Sequence, residues 1–154
     1  MFGQLALMMV MMWPFIPMFL IELHFAAHLW RRLGAWSYLA VFLQWIPIGI
    51  VLYLGRNVVL NYIFELGLPF LVLGIVAVAA GIALHSWTAK LLGIEATIGY
   101  SEMKPITQSE NQDLITSGPF SVVRHPSYWA HTSIIIGVFL ITGAVSVGII
   151  AIID

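Results

Sequence analysis

Arg124, His125 and Tyr128 stand together in the run Ser121-Val122-Val123-Arg124-His125-Pro126-Ser127-Tyr128, directly ahead of a long apolar stretch. Pro126 suits the first turn of a helix, where its missing N–H removes no hydrogen bond. Arg124 and His125 therefore fall at a helix N-terminus, which carries free N–H groups and partial positive charge. With the guanidinium added, such a place takes an anionic group, for instance a carboxylate. The competing reading is that Arg124 reaches to lipid headgroups and His125 caps the helix. His131 follows Tyr128 by three residues on the same helical face, to line the site or to pack on a neighbour. A second set is Glu22, His24 and His28. The two histidines are four apart, a spacing that can hold a metal. They sit in the last turns of an apolar segment beside Arg31 and Arg32. There they pair equally well with each other or with headgroups, so no metal site is expected. His85 and Trp87 close a third apolar segment, where an interfacial aromatic belt accounts for the tryptophan.

The elements that position these residues follow from composition. The chain has 154 residues, 61% hydrophobic and 8% charged, with a formal net charge of -1. A soluble domain this short cannot bury so much apolar surface, and a disordered chain would be more polar. Six Lys and Arg against seven Asp and Glu leave no basic patch for nucleic acid. The absence of cysteine excludes disulfides, thiolate metal sites and a cysteine nucleophile. What remains is an all-α, polytopic transmembrane bundle forming a single membrane domain over 1–154. Residues 1–21, 33–55, 66–89 and 125–153 carry no Asp, Glu, Lys or Arg. Each is long enough to supply the ~20 apolar residues of a crossing. Four spans are expected at roughly 5–30, 36–54, 68–88 and 129–153, the first kinked near Pro14 and Pro17. The last is either one long span or a tight helical hairpin turning at Thr142-Gly143.

Arg31, Arg32, Lys90, Lys104 and Arg124 fall on one side of these spans, and only Arg56 on the other. The excess of basic residues marks the cytoplasmic side, placing the N-terminus outside and residues 90–127 in the cytoplasm. That segment holds seven of the thirteen charged residues. It is longer than a simple connector needs to be, and long enough to build a site at the membrane face.

The run Leu114-Ile115-Thr116-Ser117-Gly118-Pro119-Phe120, continuing to Arg124-His125-Pro126-Ser127-Tyr128, resembles the signature of the isoprenylcysteine carboxyl methyltransferase-like family of membrane enzymes. Related signatures occur in phospholipid N-methyltransferases and in some membrane thiol methyltransferases. Upstream, Leu91-Leu92-Gly93 and Ile98-Gly99-Tyr100-Ser101-Glu102 fit the segment that these proteins place between the third span and the signature. The resemblance covers about residues 82–153. It implies S-adenosylmethionine as cofactor, bound at the cytoplasmic membrane face. Leu114, Ile115, Thr116, Gly118, Pro119 and Phe120 would hold it through the turn. Arg124, His125, Tyr128 and His131 would line the pocket, with Arg124 as the residue expected to serve catalysis. It further implies methyl transfer to a lipophilic acceptor drawn from the bilayer, such as the carboxylate of a prenylated cysteine or a similar group. Cofactor carboxylate, adenine and sulfonium suit a cationic, an apolar and an aromatic neighbour respectively.

Departures are specific. Phe120 stands where the family often has Tyr, and Gln112 where some members have His. Family members continue beyond a fifth span into paired glutamates, whereas this sequence stops at Asp154. The expectation is a piece of a longer enzyme, with a truncated fifth span. The alternative is a non-catalytic membrane protein that keeps the scaffold.

Overall fold

The computed structural model describes residues 2–97 and 115–154. Expectations placed on Leu114, Gln112 and Glu102 lie outside the described residues. The helices are α1 (Phe2–Met12), α2 (Phe15–Phe25), α3 (Ala27–Leu33), α4 (Trp36–Leu54), α5 (Arg56–Val59), α6 (Leu68–Leu92), α7 (Ile94–Thr97), α8 (Pro126–Thr142) and α9 (Val145–Ile153). A short 3-10 turn, Gly118–Ser121, precedes α8. Every regular element among the described residues is helical, in keeping with the all-α expectation.

Among the described residues, two helices have the length and composition of a membrane crossing, α4 with 19 residues and α6 with 25. At 1.5 Å per residue they run about 28 and 37 Å, against a hydrocarbon core about 30 Å thick. Only 17% and 11% of their most apolar windows are buried within the molecule. A core helix of a soluble protein would be mostly covered. Here Val51, Leu54, Leu68 and Val76 are exposed, an arrangement that lipid satisfies and water does not.

The first expected span is three helices rather than one. Pro17 has no N–H to give the Trp13 carbonyl, which accepts instead from the Ile16 N–H at 3.2 Å. The break falls at Trp13-Pro14, and a second at Ala26, whose φ of -118° and ψ of 26° leave the helical region.

The last apolar stretch is a hairpin. Gly143 ends α8 with φ +64°, a left-handed cap whose N–H bonds to the Phe139 carbonyl at 2.7 Å. The turn is clasped by the loop before α6. Phe64 N–H donates to the Gly143 carbonyl at 2.9 Å, and Val145 N–H to the Tyr62 carbonyl at 3.0 Å. An isolated antiparallel bridge joins Ile63 to Ala144 between them. These bonds occupy backbone groups that no helix pairs, as an apolar surrounding demands. A Cβ at Gly143 would run into the Phe64 carbonyl.

Helices α6 and α8 lie antiparallel with their backbones close. A Cβ built on Gly74 would come 2.7 Å from the Gly137 carbonyl oxygen, and one on Gly81 2.7 Å from that of Ala130. Small residues allow this approach, and in lipid close packing is what holds helices together. On the other side of α8 sits the buried apolar cluster: Ala6 and Val10 from α1, Ile135 and Val138 from α8, Val147 and Ile150 from α9, and Ala144 from the turn.

Candidate functional site

The Gly-Pro turn lies flat on the end of α6. Gly118 has φ +60°, and a Cβ there would stand 2.8 Å from Leu91 Cδ1 and 3.3 Å from the Trp87 ring. Glycine is required twice, for its dihedral and for its bareness. Pro119 is buried, and its carbonyl accepts from both Val122 N–H at 3.1 Å and Val123 N–H at 3.0 Å. The Ser121 hydroxyl donates to the Gly118 carbonyl at 2.7 Å. Ile115 and Phe120 are half-buried and Thr116 is exposed. A Trp87 partly exposed beneath Gly118 thus serves as the floor of the turn.

Pro126 is buried at the start of α8, as expected of a first-turn proline. Arg124 and His125 stand exposed just before it. His125 is the N-cap residue, yet its side chain makes no capping bond. Its ring lies against Tyr128 instead, centroids 5.5 Å apart and planes at 42°. Tyr128 is 59% exposed. The structure therefore gathers Gly118, Pro119, Phe120, Arg124, His125 and Tyr128 on one short path from the end of α6 into α8. Arg124 forms no ion pair with any described residue. His85 is exposed near the end of α6.

His131 turns elsewhere. Its Nδ1 lies 3.1 Å from Asp154 Oδ1. The same oxygen accepts from the Trp13 indole N–H at 3.0 Å, and the Thr132 hydroxyl donates to Oδ2 at 3.1 Å. Sequence reasoning missed Asp154, Thr132 and Trp13. One signal was present: Gly143 is eleven residues from both Thr132 and Asp154 (143 − 132 and 154 − 143). In a hairpin, positions equidistant from the turn meet.

Two hollows lie away from this path. One, of about 610 Å³, is lined by Phe15, Ala35, Trp36, Tyr38, Leu39 and Phe42. The other, of about 350 Å³, is bounded by Phe2, the loop 63–67 and the end of α8. Neither touches the Gly-Pro turn.

No protein of curated function and no solved structure matches the chain. A family model described as phospholipid methyltransferase matches residues 69–153, which run from the first turn of α6 through the Gly-Pro turn to the end of α9. That stretch is more than half of the chain and contains every part of the path just described, so the chain belongs to the phospholipid methyltransferase family of membrane proteins.

Proposed function

We propose that the protein is an integral membrane methyltransferase that carries a methyl group from S-adenosylmethionine to a lipophilic acceptor. The observation that carries the reading is the family match over α6 to α9, together with the clamped turn that delivers three exposed side chains to the head of α8. The residues present fit the donor. Arg124 is an exposed cation with no ionic partner among the described residues, and the first turn of α8 has no side-chain cap. Both favour a carboxylate. The His125 and Tyr128 rings offer faces to an adenine. When bound, the donor supplies a methyl carbon already activated by its sulfonium. The protein's own part is alignment and exclusion of water. Ile115, Thr116, Gly118, Pro119 and Phe120 form the wall through the turn. Arg124 anchors the donor and orients its methyl. The acceptor is an amphiphile, and a headgroup of the phospholipid kind agrees with the family description.

Four crossings remain part of the proposal, with α1 and α2 jointly making the first and α8 the last. The N-terminus is then outside, and 90–127 faces the cytoplasm as the donor's entry side. The basic residues of the described chain support this arrangement.

Isothermal calorimetry of the full chain in detergent with S-adenosylhomocysteine tests the reading. Binding is expected, and Arg124→Ala should weaken it by about tenfold, the loss of ~1.4 kcal/mol from one charge-assisted contact. Absence of binding by the unaltered chain would favour a non-catalytic scaffold.

A further inference from the structure

The smaller hollow lies at the far end of the molecule from the Gly-Pro turn. Leu71 in its wall is about 24 Å from Trp87 along α6, at 1.5 Å per residue. Helix α6 has the length of a crossing. This end of it therefore meets the membrane interface opposite the turn, whichever way the chain is oriented. Three separate parts of the chain build the hollow. Phe2 comes from α1, Phe64 and Glu65 from the loop before α6, and Leu140 and Ile141 from the end of α8. The walls are held in place, because the backbone bonds of Phe64 to Gly143 and of Val145 to Tyr62 tie the loop to the hairpin turn. The volume of about 350 Å³ falls within the range of about 300–1,000 Å³ that small ligands occupy.

Two polar side chains line it. The Thr142 hydroxyl is used within the molecule, donating to the Val138 carbonyl at 2.8 Å. Glu65 is exposed, and it has no ion pair or side-chain hydrogen bond with any described residue. Arg56 is the one Lys or Arg between Trp36 and Leu68 in the sequence. It is turned to Tyr53 instead, donating to that carbonyl at 3.2 Å, with its guanidinium 4.8 Å from the ring centroid. The hollow thus joins an apolar interior to a carboxylate whose charge the described residues leave unmatched. The complement of such a place is an amphiphile with a cationic head, and the surrounding bilayer is its source. Coulomb repulsion turns away anionic headgroups. Among cationic heads, a primary ammonium has N–H groups for charge-assisted hydrogen bonds to a carboxylate, and a quaternary one has none.

We propose that this hollow is a lipid-binding site for a bilayer phospholipid with a primary ammonium headgroup. The ammonium meets Glu65, and part of an acyl chain lies against Phe2, Leu71 and Leu140. The lipid is held there whole and undergoes no reaction. It joins α1, the loop before α6 and the hairpin turn from the outside, at the end of the bundle that the buried cluster leaves open to the membrane. The site is separate from the Gly-Pro path, and it stands whether or not the chain transfers methyl groups.

Native mass spectrometry of the full chain in detergent tests the proposal. The chain is titrated with phosphatidylethanolamine, phosphatidylcholine and phosphatidylglycerol of equal chain length. The ethanolamine lipid should bind about tenfold more tightly than the glycerol lipid, with the choline lipid between them. Glu65→Gln should weaken the ethanolamine lipid by about tenfold and leave the glycerol lipid no weaker. Leu71→Trp, which puts a larger side chain into the hollow, should weaken the ethanolamine lipid while circular dichroism shows the helices intact. Should Leu71→Trp fail to fold, the surface variant Glu65→Gln decides. Equal affinity of the unaltered chain for the three lipids overturns the proposal. So does a preference for the ethanolamine lipid that survives Glu65→Gln, which would place that lipid elsewhere, for instance at the Gly-Pro path. Undiminished binding to a folded Leu71→Trp overturns it equally.

Discussion

Gly118 and Pro119 show how much of the site two residues can dictate. A positive φ and the contact with Leu91 and Trp87 leave no room for a side chain at 118, and buried Pro119 gathers two N–H groups onto its carbonyl. The turn then sets where Arg124 and His125 emerge. Replacing Gly118 with Val adds a β-branched side chain in the left-handed region and against the end of α6. Backbone strain alone costs roughly 1–3 kcal/mol. Thermal unfolding in detergent should show the loss, with donor-product binding weakened in step. These residues were legible in the sequence because Gly and Pro act locally and their punctuation survives any tertiary context. Asp154 was not legible. Its contacts are with Thr132 and His131, twenty-two and twenty-three positions earlier, and only the turn at Gly143 makes them neighbours.

Among the elements, the pairing of α6 with α8 depends on absent side chains. Gly74, Gly81 and Gly137 let two backbones approach until a Cβ would meet a carbonyl oxygen at 2.7 Å. Alanine normally favours a helix over glycine by about 1 kcal/mol. At Gly81 that gain is expected to lose to overpacking, which costs ~1–3 kcal/mol when backbone has to move. Gly81→Ala should therefore lower the unfolding midpoint in detergent. Gly49 in α4 is the contrast. A Cβ there meets only side-chain atoms of Trp45 and Met11, none nearer than 3.6 Å, so Gly49→Ala should leave the midpoint unchanged or raise it. The existence of α4 and α6 could be read from their apolar runs, since length and composition decide whether a segment prefers lipid. The hairpin of α8 and α9 stood as one of two alternatives, because a Gly in an apolar run is compatible with either. The three-way division of residues 2–33 was underestimated. Pro14 and Pro17 announced a kink, but no residue near Ala26 announces the second break.

For the molecule as a whole, exposed apolar surface on α4 and α6 points to a membrane environment, and the proposed direction rests on the basic residues. The sequence has no cysteine, so single introduced cysteines report sidedness without background. Arg56→Cys should react with a membrane-impermeant maleimide in intact cells, and Lys90→Cys only after permeabilisation. The reverse pattern would place the donor's entry on the outer face and contradict the proposed cytoplasmic site. The composition gave the membrane class at once, since 61% hydrophobic residues in so short a chain leave few alternatives. The way the helices associate was hidden, because it depends on which small residues happen to face one another.

The buried cluster also has a bearing on biosynthesis. Ala6 and Val10 find their partners at Ile135, Val138, Val147 and Ile150. Helix α1 is thus completed by helices made more than a hundred residues after it, and at 5–20 residues per second it waits through about seven to thirty seconds of translation. During that interval α1 must be accommodated by lipid, by the insertion machinery or by temporary neighbours. Synthesis passes α1 early, but the part of the core that α1 shares closes only once α8 and α9 exist.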